Sequence, residues 1–298
     1  MKPKFTGPLL LAVLLLMTNV VQAAITCSSI TSGGFASAYV PSTAAMNITQ
    51  SSFTMTCQRN AGGDATSITY GVRNDNGIHA TGNQNRAQLG ATTNRINYDL
   101  WADSGCSVVW RNNAANDIVD TIPVLSGFAP SSKTTNYWGC IPGSQTGLPA
   151  GTYTDIVTMT ARLGAAGTGA VLATNTFPVS IYTPATCTIT TPLGNVNFGT
   201  YTAFGPIVNV NTTFNPTCTS LLPYSMALDA TSGVVVGLNY SLALNTTNTG
   251  GTSPLNSTGT GFAQTFYING SMPAGQAGTC PAGSCPLATQ GRTITITY

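Results

Sequence analysis

The sequence predicts an all-β protein made of two immunoglobulin-like β-sandwich domains, the second of which lacks its last strand. Short β-branched segments alternate with Gly, Pro and Asn turns along the chain, and no long segment has a helical period. Cysteines recur at almost the same spacing in the two halves. The last strand-like segment, residues 291–298, has no further segment after it to pair with. These three observations carry the prediction.

The composition is that of an exported β-protein with a neutral surface. Charged residues make up 6% of the 298 residues, all eight acidic residues are Asp, and His79 is the single histidine. Removal of Lys2 and Lys4 with a leader would leave the basic and acidic residues equal in number. A net charge near zero argues against nucleic acid or an anionic membrane as an electrostatic partner.

The first residues predict a secretory signal peptide. Lys2 and Lys4 precede an apolar run at 9–17, and the small residue Ala23 fits a cleavage position. We therefore expect residues 1–23 to be removed and the chain to be exported to the periplasm. The apolar run is too short to span a membrane comfortably, and no later run is long enough.

The two halves repeat one order of elements. Each half opens with a pair of similarly spaced cysteines, continues with a Tyr-containing strand and a second such strand, and reaches a terminal strand. Pro184, which cannot donate to a strand ladder, marks the predicted boundary between domains 24–183 and 184–298. The matched segments are 67–75 with 223–231, 96–103 with 238–245, and 156–160 with 294–298.

The eight cysteines of an exported chain predict disulfides. A zinc site would need clustered Cys and His ligands, and no histidine lies near a cysteine pair in the sequence. Spacing alone leaves other connectivities open. The most economical pairing joins Cys27 to Cys57, Cys106 to Cys140, Cys187 to Cys218, and Cys280 to Cys285.

The terminal strands of the halves predict different surroundings. In the first half, strand 151–163 is followed by a turn and a second strand at 172–183. In the second half nothing follows, which predicts an open sheet edge formed by Ile294, Ile296 and Tyr298. The alternative is a smaller sandwich whose edge is shielded by the Gly- and Asn-rich segment 245–261.

Several motifs resemble the spore coat protein U family, which contains the subunits of archaic, Csu-type chaperone–usher pili. They are CTITTPLGNVNFGTY at 187–201, Cys218, LNYSLA at 238–243 and PAGTYTDIVTMT at 149–160. The first half departs from the Phe-Gly-x-Tyr motif, and we expect Phe35 and Tyr39 to replace it. The two-domain arrangement is similar to the tip adhesins of such pili.

The resemblance implies that a partner completes the second domain. A periplasmic chaperone would first supply the missing strand, and an adjacent pilin subunit would replace it at the outer-membrane usher. After cleavage, Ala24, Ile25 and Thr26 would precede Cys27 and span about 10 Å, too short to serve as a donor strand. We therefore expect a tip subunit with its first domain outermost, adhering to abiotic or host surfaces and supporting biofilm formation. Alternatives are a structural coat or matrix protein of the same family and a glycan-binding lectin.

Three loops of the first domain are expected at its outer end, namely 58–65, 103–117 and 164–171. Apolar residues in such loops predict contact with surfaces. Two alternatives stay open: residues 108–110 can form a core strand, and 164–169 can be a simple flexible hairpin. The candidate adhesion residues are Val108, Val109, Trp110, Ala114, Ala115, Ala165, Ala166, Ala170 and Val171.

The sequence contains no convincing catalytic set. His79 lies in a polar, turn-rich segment, and Asp99 and Asp155 lie on strands where we expect them to face solvent or cap a turn. Asp117 and Asp120 have no third acidic neighbour to complete a calcium site. We predict that the protein is not an enzyme and has no cofactor or metal.

Overall fold

The computed structural model describes residues 25–123, 127–165, 167–279 and 287–298. The predicted signal peptide (residues 1–23), the expected new N-terminal residue Ala24, and Cys280 and Cys285 lie outside these residues. The described residues form strands, turns and one short 3-10 helix at Ala114–Asn116. The all-β prediction is confirmed, whereas the immunoglobulin-like arrangement and the domain boundary stay predictions.

The described residues of the first half form eleven strands in one hydrogen-bonded network. Its main path runs β1-β3-β9-β6-β5-β10-β11-β2, and β4 pairs with both β10 and β8. The strands are β1 (Thr26–Ser32), β2 (Phe35–Ala38), β3 (Asn47–Gln58), β4 (Ser67–Asn74), β5 (Asn85–Leu89), β6 (Arg95–Trp101), β7 (Val109–Trp110), β8 (Ile118–Pro123), β9 (Ser131–Ile141), β10 (Gly151–Leu163) and β11 (Val171–Thr183).

The second half contains eight described strands in two sheets. One sheet has the order β12-β13-β18-β16-β15, and the other has the order β17-β14-β19. The strands are β12 (Cys187–Thr191), β13 (Val208–Cys218), β14 (Pro223–Leu228), β15 (Ser232–Val235), β16 (Leu238–Asn245), β17 (Leu255–Thr258), β18 (Phe266–Met272) and β19 (Ile294–Thr297).

The alternation in the sequence decides which strand face is buried. Tyr153, Val157 and Met159 of β10 are fully buried, whereas Ile156 between them is 47% exposed. Two separate apolar clusters result, one built from residues of 30–181 and the other from residues of 214–272. Each half therefore has a hydrophobic core of its own.

Among the described residues, three disulfides join segments within the halves. Two of them connect the first strand of a half to the second long strand, and the third joins the turn after β6 to β9. The bonded pairs are Cys27–Cys57, Cys106–Cys140 and Cys187–Cys218.

In the first half, the buried Tyr39 side chain is the centre of a set of hydrogen bonds. Its hydroxyl donates to Pro142 O at 2.9 Å and accepts from Gln145 N at 3.0 Å. The Gln145 side chain in turn bonds both backbone groups of Asn97. These hydrogen bonds connect the segment after β2 to the turn after β9.

The second half contains the equivalent set of hydrogen bonds around Tyr201. The Tyr201 hydroxyl donates to Pro273 O and accepts from Gln276 N, both at 3.1 Å. The Gln276 side chain bonds both backbone groups of Asn239. Tyr39 thus occupies the place that Tyr201 of the Phe-Gly-x-Tyr motif occupies in the second half.

The phenylalanines of the two motifs are equivalent as well. Phe35 packs against Tyr98 with ring centroids 6.0 Å apart, and Phe198 packs against Tyr240 at 5.9 Å. The repeat expected from the sequence therefore extends to individual side-chain contacts in both halves.

A hydrogen bond fixes the register of the terminal strands. The Tyr98 hydroxyl donates to Asp155 Oδ2 at 2.8 Å, and the Tyr240 hydroxyl donates to Gln290 Oε1. Because Tyr98 and Tyr240 occupy matching strands, Asp155 corresponds to Gln290. The rest of the alignment follows from this pair.

The predicted alignment of 156–160 with 294–298 was wrong by three residues. Counting from Asp155 and Gln290, the matching segment is 159–163. Ile294 and Ile296 then correspond to inward-facing residues of β10 rather than to its exposed face. A repeating Thr-Ile pattern fits several registers in sequence, whereas an odd shift reverses the buried face in space.

Candidate functional site

The first half shows how a terminal strand is normally covered. β11 pairs antiparallel with β10 along nearly its whole length, and in parallel with β2, where Val179 lies beside Phe35. The inward side chains Phe177, Val179 and Ile181 are at most 1% exposed. β11 therefore closes both the sheet and the core.

The corresponding strand of the second half is paired on one side. β19 pairs with β14, with Ile296 opposite Met226. Among the described residues, no strand pairs with its other edge. Ile294 and Ile296 pack against the second core but stay half-buried, and Tyr298 is 58% exposed. Among the described residues, Ile294 and Ile296 therefore lie on a strand with one unpaired edge, and acceptance of a partner strand at this edge stays a prediction.

The segment equivalent to β2 also lacks a strand partner. Residues 196–201 form no strand, and Phe198 and Tyr201 are only half-buried. Their counterparts Phe35 and Tyr39 are nearly inaccessible. In the second half, the two segments that would neighbour a strand equivalent to β11, namely β19 and residues 196–201, are therefore both unpaired on that side.

An arginine holds the segment before β19. Arg292 donates from Nε to the Tyr240 hydroxyl at 2.9 Å and from Nη2 to Ser232 O at 2.8 Å. Its guanidinium also lies 5.7 Å from the centre of the Tyr240 ring. No motif in the sequence predicted this contact. The available signal was that Arg292 is the single basic residue after residue 183.

The candidate adhesion residues at 108–110 are divided between surface and core. Val108 is 57% exposed and Val109 is half-buried, but Trp110 is fully buried. The Trp110 indole donates to Val72 O at 2.7 Å and its ring lies 5.2 Å from that of Tyr137. Trp110 was therefore wrongly assigned to the surface, and the alternative of a core strand describes it.

The remaining candidates lie mostly at the surface. Ala115 is exposed and Ala114 half-buried, both in the short 3-10 helix capped by Asn113. In the hairpin loop between β10 and β11 (residues 164–170), Ala165 and Ala170 are exposed, and Val171, which opens β11, is 51% exposed. Ala166 lies outside the described residues.

A buried ion pair ties this hairpin loop to the segment after β7. Arg73 Nε lies 2.8 Å from Asp117 Oδ1, and Nη2 lies 3.0 Å from Oδ2. The same Nη2 donates to Gly167 O at 3.3 Å. Gly167 has a φ of +55°, and a Cβ there would collide with Asp117. The hydrogen bonds to Asp117 raise the pKa of Arg73 further.

The loop at 58–65 is closed by its own side chains. Asp64 accepts from Asn60 N and Ala61 N, and Arg59 donates to the carbonyls of Gly62 and Asp64. The loop exposes no large apolar side chain. It therefore presents polar backbone and side-chain groups.

Two aspartates expected to face solvent are buried instead. Asp155 accepts from the Tyr98 hydroxyl and from the backbone N–H groups of Ile78, His79 and Ile156. Burial raises the pKa of Asp155 despite these bonds. Asp99 is nearly buried beside Arg111, and burial raises its pKa too. The expectation that these residues face solvent or cap a turn was wrong for Asp99, whereas Asp155 does cap the 75–79 turn.

Two further observations concern the described part of the chain. Within it, no three His, Cys, Asp or Glu side chains come together as metal ligands would. None of its helices is long and apolar enough to cross a membrane.

Comparison with known proteins gives one family and several distant structures. The Spore Coat Protein U domain matches residues 12–160 and 173–254. No curated protein matches significantly. Similar solved structures include the CsuC–CsuE chaperone–tip adhesion subunit complex of Acinetobacter baumannii, with 15% identity, a TM-score of 0.47, and coverage of 92% of this chain and 100% of that chain. The CupB6 tip adhesin of Pseudomonas aeruginosa gives 14% identity, a TM-score of 0.43, and coverage of 92% and 95%.

Proposed function

Because the chain belongs to the Spore Coat Protein U domain family, we propose that it is the adhesive tip subunit of a chaperone–usher pilus. In this role it is exported through the periplasm, is displayed on the cell surface, and attaches cells to abiotic or host surfaces during biofilm formation. It binds and assembles rather than catalyses. Residues 24–183 form the adhesive domain and residues 184–298 the domain that joins the fibre.

The observation that carries the proposal is the unpaired edge of β19. Backbone N–H and C=O groups of an exposed edge are ready to pair with an added strand, and half-buried Ile294 and Ile296 offer apolar contacts to it. A donor strand would also cover Phe198 and Tyr201. A periplasmic chaperone supplies this strand first, and an adjacent subunit replaces it during assembly at the usher.

The pairing of β11 in the first half indicates how a donor strand would bind to the second half. By analogy with β11, the donor runs antiparallel to β19 and parallel to residues 196–201. It carries apolar side chains at alternate positions, as Phe177, Val179 and Ile181 do. Three such side chains, buried at about 1.5–3 kcal/mol each, contribute roughly 5–9 kcal/mol before the cost of ordering the strand.

Adhesion is assigned to the exposed apolar residues of the first half. Apolar side chains that remain at the tips of loops on an otherwise polar protein suit contact with hydrophobic surfaces. Trp110 is excluded because it is buried. The assigned residues are Val108, Ala115, Ala165, Ala170 and Val171.

Thermal unfolding of a fused chain tests strand acceptance. The strand-donating extension of a pilin subunit is joined after Tyr298 through a flexible linker. The matched control carries the same extension with its alternate apolar residues changed to Ser. We expect the first fusion to raise the Tm of the second half and the control to leave it unchanged. An equal Tm for both fusions and the unfused chain would reject the proposal.

A further inference from the structure

A shallow polar cavity of about 200 Å³ opens on the outer face of the β4–β10 pair. It adjoins the hairpin loop but belongs to neither the open edge nor the apolar loop tips. This volume is smaller than the roughly 300–1,000 Å³ of sites for drug-sized ligands, which limits the ligand to one small group. The side chains that matter are Arg73, Asp75, Asn112, Thr158, Thr160 and Arg162.

Two arginines line this cavity. Arg73 is directly opposite Thr160, and Arg162 is two residues further along the same face of β10. Diagonal neighbours of this kind have Cα atoms about 7–8 Å apart, within reach of long side chains. Asp117 already neutralises Arg73, so Arg162 is the arginine of this cavity that calls for an anionic partner.

The guanidinium groups have unused donors. Arg73 is held rigidly by Asp117 through Nε and Nη2. Arg162 has no carboxylate partner among the described residues, and its one protein bond there is Nη1 to Gly169 O at 3.4 Å. A carboxylate can accept two parallel N–H bonds from such a planar group. One negatively charged group of a ligand would thus neutralise Arg162.

The rest of the cavity suits hydroxyl groups. Thr158 and Thr160 present hydroxyls from the outer face of β10, and Asn112 adds an amide from the segment after β7. The Asp75 carboxylate is fixed by accepting from Gly77 N and Thr158 N. The lining therefore offers donors and acceptors together, which a ligand with a single anionic group and no hydroxyls would leave unused.

We propose that this cavity binds one carboxylate-bearing sugar residue of an acidic polysaccharide. The sugar carboxylate pairs with Arg162 and the outer side of Arg73, and the ring hydroxyls bond Thr158, Thr160, Asn112 and Asp75. Arg73 and Arg162 both contact the hairpin loop, through Gly167 O and Gly169 O. A bound acidic glycan would therefore lie beside the exposed Val171. This site does not depend on strand donation.

The proposal is tested by titrating the full chain, which is kept soluble in complex with a strand donor. Sodium galacturonate and glucuronate are the probes, and galactose, glucose, acetate and sulfate are the comparisons. Binding is followed by the NMR chemical shifts of the backbone amides of β4 and β10. We expect saturable shifts with the uronates and at least tenfold weaker binding of all four comparisons. Equal binding of acetate or sulfate would reduce the cavity to a simple anion site and overturn the proposal, as would equal binding of neutral sugars.

Variants locate the binding site. Arg162→Gln should weaken uronate binding at least tenfold, and Arg162→Lys should recover part of it because the charge returns without the planar fork. Arg95→Gln is the matched control, since Arg95 is exposed on β6 and bonds Gln88 instead. The proposal fails if Arg162→Gln binds like the unchanged protein, or if Arg95→Gln loses as much affinity. Unfolding by urea confirms that each variant keeps its fold.

Discussion

Val157 of β10 pairs directly with Phe177 of β11, and both side chains are fully buried. This contact closes the first half, and the described residues of the second half contain no strand that could make an equivalent contact with β19. The difference between two otherwise repeated halves is the physical basis of the proposed function.

The first prediction concerns the strand that closes the first half. Phe177→Ala should destabilise it by about 3–5 kcal/mol, because a fully buried aromatic ring is lost from the core. Thr176→Ala is the matched control, since Thr176 is the exposed neighbour on the same strand. Urea unfolding followed by Trp fluorescence measures both. A loss for Phe177→Ala no larger than for the control would contradict the role of β11.

The second prediction concerns the open edge. Ile296→Ala should cost more free energy of unfolding when a donor strand is fused than when it is absent, because a half-buried side chain becomes fully buried. Thr295→Ala, on the opposite face, should show no such difference. Denaturant midpoints of six proteins, namely the unsubstituted chain and the two variants, each with and without the donor, give the result. An equal cost with and without the donor would show that Ile296 does not contact it.

The third prediction concerns adhesion. Ala165→Asp combined with Val171→Asp should reduce attachment to plastic while leaving the number of pili unchanged, because charge opposes contact with an apolar surface. Val119→Asp is the control, since Val119 is 47% exposed on β8, outside the candidate loops. Attachment is counted alongside electron microscopy of the fibres. Undiminished attachment with normal fibres would remove these residues from the adhesive surface.

The fourth prediction concerns the ion pair beneath the hairpin loop. Removing one partner of a buried ion pair lowers the free energy of unfolding by about 3–5 kcal/mol. For Asp117→Asn we expect the lower end of this range because Arg73 stays partly accessible. Asp117→Asn should also speed amide exchange in residues 164–170. Asp120→Asn is the control, since its pair with Lys133 is long, at 3.8 Å, and partly exposed. Unchanged exchange in the hairpin loop would show that the pair does not hold it.

The local features of the fold could be predicted from sequence. Alternating β-branched residues identified the strands, and cysteine spacing identified the pairs Cys27–Cys57 and Cys187–Cys218. The expected replacement of the motif by Phe35 and Tyr39 agrees with the matching contacts of the two halves. These signals are local, or they repeat, so one sequence is enough to read them.

The remaining features depend on contacts between distant segments. Arg73 and Asp117 lie 44 residues apart in sequence, and nothing near either residue announces the pair. Trp110 looks like a loop residue until β4 and β9 surround it. Asp155 looks like an exposed strand residue until the Tyr98 hydroxyl reaches it. Register and burial of this kind are set by packing partners that spacing does not reveal.

Backbone amide exchange on β19 tests the central claim most directly. In an antiparallel strand, alternate amides point to opposite neighbours, so those facing β14 are already protected and the others face the open edge. We predict that the outward amides among Ile294–Thr297 exchange rapidly in the unfused chain and slowly once a donor strand is fused. Slow exchange of these amides without a donor, or rapid exchange with one, would contradict an edge that accepts a strand from a partner.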